Sequence, residues 1–577
     1  MNKIFTLLAF AASCTGAFAA STDVNPDKTG MTMSAQEWCK NVSAGWNLGN
    51  SLESAGGTWD NTTWTFYNIY QTDANTWETA WGNPKVTEDQ IKAVKEAGFN
   101  AIRIPVRWIG HITNQETMTV DPTWMARVKQ VVDWCISNDL YVIINTHHDY
   151  YLESNPLYTK QAQIKKMEKA LWTNIATTFR DYDEHLAFAG TNEVTMEWKA
   201  PTEENLSVQN GYNQDFVDAV RATGGKNYYR NLIVQTYACD PNYGLGGKLV
   251  IPTDVVDDRL SVEFHYYQPY SYCSGNTEGS SYYYWGDAYK SKGSVPADNE
   301  KTMTDLFARV STTWWEKGYG VVIGEYGVSD HYTGSATEIS NIHANMTYYI
   351  KTLVSEARKR GFAAFIWDNN AFGNGSEKFG LFDRNNNMTV KCQYFLDGVK
   401  SGATTPYGYD KADIAEVETS KVSTTPSGGT TLFNGSKVLG WGNGTSLSAD
   451  QLKNVKAGDK LVIVTTPNTN STTHCMQMFD GGWANQLIPQ VDITSTSGIY
   501  VTTVTLTEEF ANTMKQKGIV IQGIGLTLKK IMLVSATGIQ QICDDNADES
   551  VYSLSGTRVK NSTQHGIYII NGKKVFK

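Results

Sequence analysis

The stretch "LAFAGTNEV", residues 186–194, climbs through the apolar run Leu186 to Ala189, loosens at Gly190 and ends on Asn192 and Glu193 side by side. A run this short and this apolar, bounded by turn formers, has the pattern of a parallel strand buried on both faces. A carboxylate at the end of such a strand needs a reason. A second stretch, "VVIGEYGV" (321–328), repeats the plan, with Val321, Val322 and Ile323 leading through Gly324 into Glu325. Two buried strands that each finish in a glutamate imply two acids converging on one pocket.

Six further runs share the pattern: "SAGWNLGN" from 43, "AIRIPVRW" from 101, "LYVIINTHHD" from 140, "NLIVQTYA" from 231, "LSVEFHYY" from 260 and "GFAAFIWDN" from 361. Helix signals lie between them. In "VTEDQIKAVKEAG" (86–98), Thr87 and Gln90 form a capping box, Ile91 and Val94 make a stripe, and Gly98 ends the helix. In "DPTWMARVKQVVDWCISN" (121–138), Asp121 caps, Pro122 opens the first turn, and Trp124, Val128, Val131 and Cys135 recur at helical spacing. Strand and helix alternate about eight times, the count of a (β/α)8 barrel, whose active site sits at the C-terminal ends of the strands.

Polar and aromatic residues gather at those ends. Asn50 follows the first strand, Arg103 and Arg107 lie in the second, and His147 and His148 follow the third. Asn192 and Glu193 end the fourth, His265 and Tyr267 the sixth, Glu325 the seventh and Trp367 the eighth. A lone histidine or tryptophan in a strand is ordinarily a core residue. Seven strands ending in the same kind of chemistry carry the reading together.

Composition narrows the partner. The 577 residues exceed one ordinary domain. Charged residues are 19% while aromatics reach 12%, with 17 Trp and 31 Tyr, and such flat rings suit sugar faces as well as cores. A formal charge of −10 argues against nucleic acid or an anionic membrane and favours a neutral substrate. "MNKIFTLLAFAASCTGAFAA" has Lys3, an apolar run and Ala17-Phe18-Ala19, which makes residues 1–19 a secretory signal peptide and the mature protein an exported one. Cys14 offers a weaker lipoprotein-type alternative. No later stretch is apolar enough to span a bilayer. The cysteines beyond Cys14 are Cys39, Cys135, Cys239, Cys273, Cys392, Cys475 and Cys543; scattered and odd in number, they imply neither a zinc site nor a disulfide framework, though one or two bridges stay open. No metal-binding motif appears, so no metal and no cofactor is expected.

The motifs "NLGNSLE", "IRIPVRW", "INTHHD", the Asn192-Glu193 pair, "HYY", "GEYG" and "FIWDN" together resemble glycoside hydrolase family 5, the cellulase family A of older usage, over roughly residues 35–400. The form of the "GNSLE" and "THHD" segments is most similar to its endo-β-1,4-glucanases. The resemblance implies a retaining hydrolase of cellulose, mixed-linkage glucan or xyloglucan. A mannanase of the same family is one alternative, and a carbohydrate-binding surface protein with a dead barrel is another. It implies Glu193 as acid/base and Glu325 as nucleophile, with Arg103, Asn192, His265 and Tyr267 supporting them. Asn50, Glu53, His147, His148 and Trp367 would then hold the sugar. One departure is that Val194 stands where the family commonly has proline. Proline would keep Glu193 extended, and a β-branched valine prefers that region too.

Residues 31–400 are thus expected to form the catalytic barrel, and 401–430, rich in Thr, Ser, Gly and Pro, a linker. Residues 431–536 read as a β-sandwich with helical patterns near 448 and 508, on which Trp441 and Trp483 could form a sugar platform. The tail 537–577 resembles type IX secretion sorting domains, or else extends the sandwich as a hairpin. A monomer is expected.

Overall fold

The computed structural model describes residues 24–274, 282–408, 416–483, 486–493, 496–536 and four short strands between 551 and 576. The eight apolar runs are eight parallel strands: β1 (Gly45–Asn47), β2 (Ala101–Ile104), β3 (Tyr141–Asn145), β4 (Leu186–Ala189), β5 (Leu232–Gln235), β6 (Leu260–Tyr266), β7 (Gly320–Tyr326) and β8 (Ala363–Ile366). They pair in chain order, and β8 closes on β1 through Gly45 opposite Phe365. Nearly every strand residue is buried, because side chains fill the barrel on one face and helices cover the other.

The covering helices are α1 (Glu88–Glu96), α2 (Pro122–Ser137), α3 (Tyr158–Thr178), α4 (Glu203–Ala222), α5 (Glu300–Thr313), α6 (Ala336–Arg360) and α7 (Gln393–Ala403). Thr87 and Gln90 form the capping box at α1, and Asp121 accepts from the backbone of Thr123 and Trp124 at α2. The alternation fails once. After β5 the chain makes only two short 3-10 turns, Tyr237–Cys239 and Pro241–Tyr243. Pro241 and the glycines at 244, 246 and 247 prevent a longer helix. Gly190, which loosens the opening stretch, has a packing reason: a Cβ there would lie 2.6 Å from Phe216 of α4.

Beyond the barrel stand two antiparallel sheets. One has the order β9-β15-β12-β17-β10, built from β9 (Glu416–Val422), β10 (Thr430–Val438), β12 (Lys460–Pro467), β15 (Ile499–Thr505) and β17 (Leu526–Val534). The other runs β11-β16-β13-β14, from β11 (Thr445–Leu447), β13 (Cys475–Asp480), β14 (Gln486–Asp492) and β16 (Ile519–Ile524). Leu461 and Ile463 of the first share one core with Met476, Met478, Ile519 and Ile521 of the second.

Two expectations are corrected here. The described residues of 401–430 are not all free linker: they hold the end of α7 and the whole of β9, which pairs with β15 from Glu416 opposite Thr505 to Val422 opposite Ile499. β9 is an edge strand whose described side chains are half-buried or exposed, so the stretch lacks the apolar run that marks a buried one. The segment near 448 is a turn, where Ser448 caps Gln451, while the pattern near 508 is a true helix, Glu508–Lys517. Trp441 and Trp483 are both exposed, and Trp483 packs on Phe479 of β13 with ring centres 5.6 Å apart.

The signal segment 1–19 and much of the tail lie outside the described residues. The four tail strands form an antiparallel sheet of their own. Cys39, Cys135, Cys239, Cys273, Cys392 and Cys475 are all buried and free.

Candidate active site

The site rests on one guanidinium. Arg103 leaves β2 into the barrel interior, fully buried, and a bare cation there would be untenable without partners. It donates from Nη1 to Glu325 Oε1 at 3.0 Å and to Asn47 Oδ1 at 3.0 Å, and from Nη2 to Asn192 Oδ1 at 2.8 Å. Nη2 also lies 3.0 Å from Glu263 Oε1. Four strands are thereby tied to a single side chain.

A second hub is His265, at the end of β6. Its Nδ1 lies 2.7 Å from Glu193 Oε1 and 3.6 Å from Glu325 Oε2, and its Nε2 lies 3.3 Å from Glu263 Oε1. Burial alone would push the imidazole down, but its coupling to Cys239, the charge of Glu325 and the hydrogen bonds to Cys239 and Glu193 raise it well above its ordinary value. When protonated, it donates from both nitrogens, to Glu193 and to Glu263. Burial would raise Glu263, yet Arg103 and His265 hold it below the usual carboxylate range. Arg103 and, when protonated, His265 face the carboxylates of Glu263 and Glu325 inside the barrel.

Glu325 is buried, and burial raises it above the ordinary carboxylate value against the pull of His265 and Arg103. Tyr267 contributes to that pull by donating from its hydroxyl to Glu325 Oε2 at 3.0 Å. Tyr267→Phe removes this donor, so the carboxyl must hold its proton to higher pH. The acid limb of the kcat/KM profile is expected to move upward in pH, with a loss near neutrality of about tenfold for one hydrogen bond to a charged group. A pH–rate profile of both proteins checks this; an unmoved limb would remove Tyr267 from the role.

Single ligand atoms of Glu193, His265 and Glu325 all lie within 4.8 Å of one another. Arg103 already supplies positive charge beside Glu325. The arrangement therefore suits a proton-exchanging acid pair.

Glu193 does not adopt the extended backbone that a proline at 194 would impose. Its φ is +46°, in the left-handed region, which costs a non-glycine residue about 1–2 kcal/mol. What offsets this is tertiary: its N–H points at Cys239 Sγ, 3.4 Å away, and Cys239 and Ala238 are left-handed too, at +49° and +53°. Left-handed backbone recurs beyond other strand ends, at Asn50 (+58°), His148 (+58°) and Asn370 (+60°). Such strain collects where side chains must be aimed against local preference.

The residues expected to hold sugar divide. Trp367 stacks parallel to His147, with ring centres 5.9 Å apart, and His147 meets His148 edge-on at 4.5 Å. Burial pushes both imidazoles well below their ordinary value, so they are neutral. Gly49 packs so closely under Trp367 that a Cβ would lie 2.9 Å from the indole. Asn50 is partly exposed beside this tier. Glu53 is placed differently from the sugar-holding role expected of it. It is fully buried and accepts from the backbone N–H groups of Asn50 and Ser51, bracing the turn that carries Asn50, while burial pushes it up to about 7. Arg107 likewise braces, donating to the backbone of Glu53 and His148.

Asn47, Glu263 and Cys239 belong to the network without having been singled out. Glu263 had a signal, an acid inside the apolar run "LSVEFHYY", where only a paired carboxylate can stay. Asn47 and Cys239 look like ordinary strand and turn residues, and no local pattern sets them apart.

The profile described as cellulase, glycosyl hydrolase family 5, matches residues 62–373. Endoglucanase A of Clostridium longisporum is 35% identical over 362 residues, covering 61% of this chain and 62% of that protein. Endoglucanase B of Clostridium cellulovorans is 34% identical over 401 residues, covering 67% and 81%. Among solved structures, the Bacteroides ovatus GH5 xyloglucanase in complex with a XXXG heptasaccharide superposes with a TM-score of 0.59 at 31% identity, over 66% of this chain and 79% of that one.

Proposed function

The chain belongs to glycosyl hydrolase family 5, and from that membership we propose that it is a retaining endo-β-1,4-glucanase with Glu193 as general acid and base and Glu325 as nucleophile. The observation that carries this reading is the pair itself. Two carboxylates with oxygens within 4.8 Å are held by unlike partners, Glu325 by Arg103 and Tyr267 and Glu193 by His265. That spacing suits direct attack, since carboxyls about 5–5.5 Å apart mark retaining enzymes and wider pairs leave room for water.

In the first step a Glu325 oxygen attacks the anomeric carbon while the bond to the leaving oxygen breaks, and Glu193 gives its proton to that oxygen. Positive charge on Arg103 and the Tyr267 hydroxyl keep Glu325 available as an anion. Once its charge is consumed in the ester, Glu193 stands as a carboxylate beside His265 and takes a proton from the incoming water. The water oxygen bonds to the anomeric carbon, the ester breaks, and Glu325 leaves as a carboxylate. Asn192, accepting from Arg103 at Oδ1, keeps its Nδ2 donors for a sugar hydroxyl. The Trp367 ring supplies the flat face on which the sugar lies.

The substrate is a β-1,4-glucan, cellulose-like, mixed-linkage or xyloglucan; the names of the relatives and the heptasaccharide held by the Bacteroides ovatus enzyme support this range. Export rests on the pattern of residues 1–19. None of the described helices is long and apolar enough to cross a membrane. Reducing-sugar release from carboxymethyl cellulose, barley glucan, xyloglucan and mannan tests the proposal. Release from the glucans with a rapid fall in viscosity is the expected result. No release from any polymer would overturn the enzymatic reading, and release from mannan alone would make the protein a mannanase.

A further inference from the structure

Every barrel strand but β5 is followed by one of the covering helices. A helix after β5 would lie between α4 and α5, because the outer ring follows the order of the strands. That place is taken by the C-terminal sheets. On one side, Tyr500 of β15 and Lys421 of β9 reach Glu203 at the start of α4. On the other, Gln490 and Asp492 of β14 enclose a cavity of about 60 Å³ with Arg309, Thr312 and Thr313 at the end of α5. Between them lies the loop after β5: the Thr419 N–H of β9 donates to Gly246 O at 3.5 Å, and Leu245 shares the apolar wall of the cavity with Val417 and Ile488.

The other end of this loop holds the acid. The Tyr237 hydroxyl accepts from the Met196 N–H at 2.7 Å, the Ala238 N–H donates to Val194 O at 2.9 Å, and Cys239 Sγ accepts from the Glu193 N–H at 3.4 Å. The turn that carries Glu193 is therefore pinned on both sides of its carboxylate. From there back to the covered end the loop is tightly bonded. Asp240 accepts from the Asn242 N–H at 2.8 Å, Leu245 donates to Pro241 O at 3.0 Å, and Lys248 Nζ donates to Asn242 O at 3.2 Å. Arg309 of α5 donates to Asn242 Oδ1 at 3.4 Å. Burial lowers the Lys248 ammonium from its ordinary value, and the charges of Asp492 across the seam and of Asp240 pull it back.

We propose that the C-terminal unit takes the place of the barrel's missing helix and, by clamping the loop after β5, holds Glu193 in the turn from which it protonates the leaving group. The inference rests on the endoglucanase reading. A left-handed Glu193 carries a backbone cost that its own neighbours do not return, so the turn keeps its shape only while residues 237–239 stay in place. A loop with neither a helix nor a sheet behind it opens easily. An acid displaced by about 1 Å then delivers its proton poorly, although nothing in the cleft has been removed.

Two substitutions in the full-length chain open the seam from opposite sides. Asp492→Lys sets another cation against Lys248 and Arg309, and Thr313→Trp drives a ring into the cavity that Thr313 lines. The readout is kcat/KM on two aryl cellobiosides, one with a dinitrophenolate that leaves unaided and one with a phenolate that needs the proton. Active sites are counted by trapping the glycosyl-enzyme with a 2-deoxy-2-fluoro cellobioside, so unfolded protein does not enter the rates. Each variant is expected to lose about tenfold on phenyl cellobioside, part of the roughly 10² to 10⁴ that general acid help supplies, and to keep its rate on the activated substrate. The two substrates share one sugar, so a change in sugar binding cannot imitate this split. Rates unchanged on both substrates, or an equal loss on both, would overturn the clamp. Native protein that cleaves neither aryl cellobioside nor any glucan would instead remove the endoglucanase reading.

Discussion

Glu325→Ala is expected to abolish turnover of every glucan, with a loss of about 10⁴-fold or more, the scale seen when a nucleophile is removed from a unit that acts together. The anchoring makes the loss specific. Arg103 keeps Glu263, Asn192 and Asn47 as partners after the substitution, so the barrel interior retains paired charges and the fold should survive. The vacated space opens on the face from which Glu325 attacks. Added azide or formate can enter it and attack the anomeric carbon directly while Glu193 still protonates the leaving group, giving a product of inverted configuration. NMR of the rescued product checks this, and retained configuration would show that Glu325 is not the nucleophile.

Glu193→Ala should divide substrates by leaving group. Removing a general acid costs about 10² to 10⁴ in rate where the leaving oxygen needs a proton. Glucan should therefore be cut very slowly, while an activated aryl glycoside, whose phenolate leaves unaided, should still load Glu325. Water then attacks the ester slowly, without a base, and the glycosyl-enzyme should accumulate as a burst. Azide needs no base, so it should restore turnover with retained configuration. Mass spectrometry of the quenched enzyme and NMR of the azide product measure both effects. An equal loss on aryl glycoside and glucan would remove Glu193 from the acid role, and exchanged rescue stereochemistry between the two variants would reverse the assignment.

The barrel was legible because its signal is local. A strand buried on both faces must be apolar at every position, and each of the eight runs announces itself within a few residues. The acids were legible for a related reason: charge at the end of such a run has no structural excuse. What stayed hidden depends on contacts made across the barrel. Nothing near residue 239 says that a thiol supports the backbone of residue 193, because that contact joins the ends of two strands separated by a whole helix. The left-handed turn at Glu193 has no local signal for the same cause, since it rests on that tertiary support and Val194 favours extended backbone only at its own position. Glu53 shows the reverse error. Its place in a motif suggested contact with sugar, but its carboxylate is spent on the turn beneath Asn50.

The pairing of β9 with β15 bears on any effort to move the C-terminal unit between chains. Composition invites a cut near residue 430, which would leave β9 behind with the barrel and strip β15 of one neighbour. An exposed, regular edge of that kind is a template for association with other copies. The transferable piece therefore begins no later than Glu416. Even then it leaves something on the donor, because Tyr500 of β15 donates to Glu203 at the start of α4 at 2.5 Å, and Lys421 of β9 lies 3.5 Å from the same carboxylate. A recipient enzyme without an acid at that position would carry the unit as a passenger on a loose tether, free to wander from the flank on which it is docked here.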